Sequence, residues 1–245
     1  MHEAKIFILY PLDGVMVQAA KVFILASPLH LKEIAQRLKG FSILERGEAS
    51  GRTVEIGSRV LDLDLSDEEL KGTFEENFLI SVRYREEVLK VPFTVRTQFS
   101  FIKGGGATYL IVASKKARAN RIANQFSSLI SAEKGFIQEA WIPSETLRRF
   151  YEGRMSTVRV IFFSDVRVPN VKKLSLYGQE LASTSLYQEY MRLGRVWYVV
   201  FEPEDGVVIG LTRNCLVTFF SKIDIEEVMD FIKLRILPMI SYKEE

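Results

Sequence analysis

The chain has 245 residues, 47% of them hydrophobic and 26% charged, with a formal net charge of +2. That leaves room for a filled core in one large domain or two fused smaller ones, and the charge balance is too mild to demand a nucleic-acid partner by itself. A single cysteine, Cys215, rules out an intramolecular disulfide and a cysteine-based zinc site within one chain.

The same cysteine usage points to an intracellular, cytoplasmic protein. Pro11, Asp13 and Gly14 interrupt the apolar run Ile6–Tyr10, so no signal peptide is expected. No window approaches the ~18 uncharged apolar residues of a membrane span, so no membrane partner is expected either. Asn and Gln together number 12, a composition in keeping with a thermophilic source.

In chain order, residues 4–10 and 21–26 are short apolar runs rich in β-branched and aromatic side chains, and both read as strands. Ser27 followed by Pro28 predicts a helix N-terminus; Leu31, Ile34, Ala35 and Leu38 supply its apolar stripe and Gly40 its stop. Alternation at Val54, Ile56, Val60, Leu61, Leu63 and Leu65 predicts one or two strands. Ser66 with Glu69 has the spacing of a capping box and predicts a short helix ended by Gly72. Phe78, Ile80, Val82 and Tyr84 then share one strand face, with Arg83 and Arg85 on the other.

A strand over Val88–Ile102 places Phe93, Val95, Phe99 and Phe101 on one face, and Arg96, Gln98 and Ser100 on the other. Gly104, Gly105 and Gly106 form a turn, Tyr109–Ala113 a returning strand, and Ser114 caps a helix. That helix carries Ala119, Ile122, Ala123, Phe126, Leu129 and Ile130 as its stripe. Residues 132–142 connect two halves, 1–132 and 133–245. The second half predicts a helix from Pro143 with Leu147, Phe150 and Tyr151 inward, then a strand around Val158–Phe163 that is apolar on both faces and hence central. Another strand is predicted at Leu174–Tyr177, and a helix from Ser183 or Thr184 with Leu186, Tyr190 and Leu193 inward. Three further strands and a last helix follow, capped at Ser221 or Asp224 and striped by Ile225, Val228, Met229, Ile232 and Ile236.

Both 76–131 and 196–236 therefore read as a three-strand meander followed by an amphipathic helix. The expected fold is α+β: mainly antiparallel sheets with helices packed on one side, in two topologically similar halves that form an internal pseudo-repeat. In its order of elements this is similar to the TATA-binding-protein fold, in which two such halves make a continuous saddle. None of that family's DNA-kinking aromatic pairs has a counterpart here.

The strongest compositional departure is Val88–Ala132, which contains no acidic residue but holds Lys90, Arg96, Lys103, Lys115, Lys116, Arg118 and Arg121. Lys115, Lys116, Arg118 and Arg121 crowd the positive end of a helix dipole, where cations are mildly unfavourable, so helix stability does not account for them. Two readings do: a phosphate-binding role, with Arg83, Arg85, Arg96 and Lys103 contributing from the neighbouring strands and turn and backbone N–H groups assisting at the helix start, and a solvated helix face balanced by acids from elsewhere in the chain. Glycines 104–106 do not make a Walker loop, because a strand rather than a helix follows them.

Asp62 and Asp64 alternate onto one strand face and can present two carboxylates to Mg²⁺, although no third ligand is identifiable. The two histidines, His2 and His30, offer no triad partner, and Cys215 reads as a small core residue. The function expected is a non-enzymatic intracellular binding protein without a cofactor, with nucleic acid or another polyanion as its ligand. Two readings stand beside it: a metal-dependent phosphoryl-transfer or nuclease enzyme using Asp62 and Asp64, and a homo-oligomeric assembly protein.

Overall fold

In the computed structural model, the residues described are 18–49, 51–131, 133, 135–152, 157–203 and 206–241. The strand expected at 4–10 and His2 lie outside them. The organising element is β1, Gln18–Leu25, whose side chains are buried on both faces. Ala20, Val22 and Ile24 enter one core, while Phe23 and Leu25 enter another on the opposite face. A strand of that kind can only sit in the middle of a sheet.

The sheet has twelve strands, and every pairing is antiparallel. On one side of β1 lie β6 (Ala107–Val112), β5 (Glu87–Gly104), β4 (Glu69–Tyr84), β3 (Arg52–Leu65) and β2 (Ser42–Ala49), in that order outward. On the other lie β12 (Leu216–Phe219), β11 (Ile209–Thr212), β10 (Arg195–Phe201), β8 (Val158–Ser164) and β9 (Leu174–Tyr177). The short β7 (Ile137–Glu139) pairs with the end of β1 beyond β12.

Helices cover both faces, which corrects the expectation that they pack on one side. The helices α1 (Leu31–Leu38) and α2 (Lys116–Ile130) press Ile34, Leu38, Ile122 and Phe126 onto Phe74, Phe99 and Phe101. Phe126 sits at the centre of that group, with ring centroids 4.7 to 5.8 Å from those three phenylalanines. The opposite core is closed by α3 (Ser144–Glu152), α4 (Ser185–Leu193) and α5 (Ile225–Phe231), the last continuing through a π turn at Ile232–Ile236. Alternate residues of β6 divide between the two cores, Leu110 and Val112 under α2, Tyr109 and Ile111 under the other set. The order of meander and then helix recurs at β4–β6 with α2 and at β10–β12 with α5, but the two helices lie on opposite surfaces, unlike a saddle with all its helices on one side.

Several local expectations change. Helix α1 starts at Leu31 after His30, so Ser27 does not cap it. No helix forms at 66–72; Ser66 and Glu69 close the tight turn between β3 and β4, and Gly72 lies inside β4. Lys115 rather than Ser114 is the residue before α2. In α4, capped by Thr184 as expected, Tyr187 is the buried residue and Leu186 is exposed. Gly105 and Gly106 both adopt positive φ, the geometry of a two-residue hairpin turn that non-glycine residues resist. No helix among the described residues is long and apolar enough to cross a membrane.

Candidate nucleic-acid interface

The eight cations singled out from the sequence do not gather on one surface. Strand β5 is 18 residues long, and at about 3.3 Å per residue its two ends stand roughly 60 Å apart. Arg83 and Arg85 sit at its far end, in the β4–β5 hairpin, and Lys103 near its other end. Arg96 pairs with Glu75 at 2.8 Å, and Arg59 reaches the same buried carboxylate at 2.7 Å. Arg118 and Arg121 both clamp Glu76, which β4 points at α2. Three of the eight are thus held by acids that lie upstream of the acid-free stretch; Arg83, Arg85 and Lys103 stand at the two ends of β5, and Lys115 and Lys116 remain at the helix start. Lys115 and Lys116 are exposed there, and Lys116 lies near enough to Lys21 and Glu139 to act on both electrostatically.

What lies beside that helix start is the face of the second sheet half turned away from α3, α4 and α5. Ile161, Phe163, Val196 and Val199 go into the core, so Phe162 and Tyr198 emerge on the other side. A register shift between Val196 and Tyr198 inserts Trp197 as an extra residue and turns it outward as well. Phe162 then stands 5.4 Å from Tyr198, 5.8 Å from Tyr177 and 6.2 Å from Trp197, centroid to centroid. Tyr198 lies across Gly210, where an added Cβ would meet its hydroxyl oxygen at 2.4 Å. Tyr177 is 67% exposed. No described helix covers this aromatic surface.

At its edge opens a cavity of about 500 Å³, lined by Glu139, Trp141, Asp165, Lys173, Trp197 and Arg213 among others. The Lys173 ammonium stands 5.1 Å from the Trp197 ring and the Arg213 guanidinium 4.4 Å from the Trp141 ring, both in cation–π range. Arg195 also lines it and is exposed. Trp197 Nε1 has no hydrogen-bond partner among the described residues. Beneath the cavity wall, Lys21 is fully buried and ion-paired to Glu139 at 2.7 Å, and it also donates to the Asn214 carbonyl. Burial lowers the pKa of Lys21 against the raising effect of Glu139. Burial alone would raise Glu139, but the Lys21 hydrogen bond and charge, with Asn214 and Lys116, hold it below the usual carboxylate range.

Asp62 and Asp64 do line one cavity, of about 360 Å³, but for a reason other than simple alternation. Val60 faces the α1–α2 core, so an unbroken strand would send both aspartates there with it. A bulge between Leu61 and Asp64, with Asp62 at a φ of 53°, resets the pleat so that Leu63 enters the core instead. Lys71 and Lys233 share that cavity, and among the described residues no group of three or more His, Cys, Asp or Glu is arranged to hold a metal ion. Cys215 is fully buried, and burial raises its thiol pKa, so it is not poised as a thiolate.

The aromatic surface was the part missed from sequence. Trp141, Phe162, Tyr177 and Trp197 are separated along the chain, and the one legible signal is the double-sided apolar run of β8, which in sequence reads equally as burial on both faces. Neither a protein-family model nor a curated protein sequence matches this chain.

Proposed function

We propose that the protein is an intracellular, non-enzymatic binder of single-stranded nucleic acid, which it holds on the uncovered face of β8, β9 and β10. The observation that carries this reading is the aromatic cluster Phe162, Tyr177, Trp197 and Tyr198 on an antiparallel sheet face that no described helix covers, flanked by Lys173, Arg195 and Arg213. Every base has a π-face, so such a platform accepts successive unpaired bases, and the cations beside it meet the phosphates between them. Lys115 and Lys116 extend the positive rim toward α2. A duplex, whose bases are already stacked on one another, gains nothing from those rings.

The test is fluorescence anisotropy of labelled single-stranded RNA, single-stranded DNA and duplex DNA at ~50 mM salt. Single strands should bind more tightly than duplex, and Trp197→Ala and Tyr177→Ala should each weaken them by about 1–3 kcal/mol. Failure of wild-type protein to bind any single strand, or full affinity in both variants, would sink the reading.

A further inference from the structure

Resting on the single-strand reading, we infer that the cavity lined by Trp141 and Trp197 is a base pocket for guanine, read along its Watson–Crick edge by Glu139. A rim of lysine and arginine suits phosphate, yet the cavity wall carries two carboxylates that would repel phosphate: Asp165, exposed and 4.0 Å from Arg213, and Glu139, which is held in place from beneath. Strand β7 puts it there: Ile137 enters the α1–α2 core, so Glu139, two residues on, shares that sheet face with Lys21. The side chain is 44% exposed to the cavity, while its partner Lys21 is fully buried. Lys21 at 2.7 Å and the Asn214 amide at 3.4 Å fix the carboxylate in place. Two such donors leave part of its acceptor capacity free, because a carboxylate has about four lone-pair sites.

A fixed, ionised carboxylate selects a ligand edge with adjacent hydrogen-bond donors. Adenine and cytosine each present one amino donor beside a ring-nitrogen acceptor, and uracil presents one N–H between two carbonyls. Guanine alone offers neighbouring N1–H and N2–H groups, which match two carboxylate oxygens. Its O6 acceptor then faces the other kind of group in the cavity, for which Arg213 and Arg195 hold donors. The indole faces of Trp141 and Trp197 supply the apolar walls. Lys21 would act here as a positioning residue: it keeps Glu139 charged and aimed without itself reaching the cavity.

The experiment measures binding of short oligouridines carrying one central guanosine, inosine, adenosine or uridine, to wild-type protein and to Glu139→Gln. Guanosine should bind about 10- to 100-fold more tightly than uridine, the discrimination expected of a well-made bidentate pair. Inosine lacks only the 2-amino group and should lose about 3- to 10-fold relative to guanosine. In Glu139→Gln, where one acceptor becomes a donor, the ratio of guanosine to uridine affinity should fall toward one. Equal binding of all four oligomers by wild-type protein overturns the guanine assignment and leaves the stacking surface standing; a preference for adenosine does the same. Absence of binding to any oligomer removes both. Should Glu139→Gln fail to fold for want of the Lys21 partner, the guanosine–inosine comparison in wild-type protein decides the matter alone.

Discussion

The four cations at the start of α2 separate into two pairs with opposite jobs, and substituting them pairwise tests the division. Arg118 and Arg121 donate to the two oxygens of Glu76, whose side chain is only 12% exposed. Arg118→Ser with Arg121→Ser therefore removes both guanidinium groups from a carboxylate held between sheet and helix. A stranded polar group of this kind costs about 1–3 kcal/mol. For a chain of this size that corresponds to a melting point lower by roughly 2–12 °C. Adding Glu76→Gln to the same background should restore much of the loss, since it removes the unpaired charge. Lys115→Ser with Lys116→Ser touches exposed side chains only, and stability should stay within about 0.5 kcal/mol of wild type. Binding should report the reverse. The lysine pair should flatten the dependence of log affinity on log salt by about 1.4 for a single strand, two contacts at ~0.7 each. The arginine pair should leave that slope alone. Calorimetry and a salt series of anisotropy titrations measure the two effects separately. An arginine double variant as stable as wild type would refute the clamp, and equal flattening by both pairs would place Arg118 and Arg121 at the ligand instead.

Phe126→Ala and Ile232→Ala, each at a fully buried position in a different core, should destabilise by about 3–5 and 2–5 kcal/mol respectively in urea unfolding; an unchanged midpoint in either would misplace that core. Acidification should unfold the protein through Glu69, Glu75 and Glu139. Burial alone would raise all three, but ion pairs with Lys233, with Arg96 and Arg59, and with Lys21 more than offset it and leave them depressed. A depressed carboxylate contributes its stability above the unfolded-state pKa, near 4.3, and loses it as pH falls through the folded value; urea midpoints should be flat from about pH 7 to 5 and drop below that, and a midpoint that rose on acidification would reverse the assignment. Gly57, at a φ of 136°, would place an added Cβ 1.9 Å from the Ile43 carbonyl oxygen, so Gly57→Ala should cost more than about 1 kcal/mol in the same assay.

Legibility followed from how many faces an element shows its neighbours. The stripes of α2 and α5 were plain because one side of each is apolar, and Phe126 and Ile232 fall where that side meets the sheet. The run Val22–Leu25 showed a strand, but apolar side chains on both faces do not say that two different helical layers cover them. At Ser66 the local signal was correct and its meaning was not. Its hydroxyl accepts from the Glu69 N–H at 3.1 Å, as a capping box requires. The Glu69 carboxylate, however, turns away to Ser100 at 2.6 Å and to Lys233 at 2.8 Å, and the same hydroxyl contact then closes a hairpin. The acid-free stretch was legible as composition, but its neutralising partners Glu75 and Glu76 lie just upstream on β4. Strand pairing brings them across, and distance along the chain gives no hint of it.

The two-sided packing also accounts for where an interface can form. Because α1 and α2 take one face of the first half and α3 to α5 the opposite face of the second, each half has a face that its own helices leave open. On the first half, the π turn after α5 reaches across far enough for Lys233 to pair with Glu69, and Glu75 is ion-paired there with Arg59 and Arg96. On the second half nothing comparable happens among the described residues, and the aromatic rings of β8, β9 and β10 stay open beside the start of α2. The cavity at their edge is lined from the second half, by Glu139 on β7, Trp197 on β10 and Arg213 after β11 among others, while the first half supplies Lys21 on β1 beneath it and Lys116 of α2 alongside. Strand β1 is hydrogen-bonded to β6, β7 and β12, so the same backbone that joins the halves holds Lys21 under Glu139. Neither half alone contains both the buried lysine and the aromatic wall, and the site depends on the continuity of the sheet.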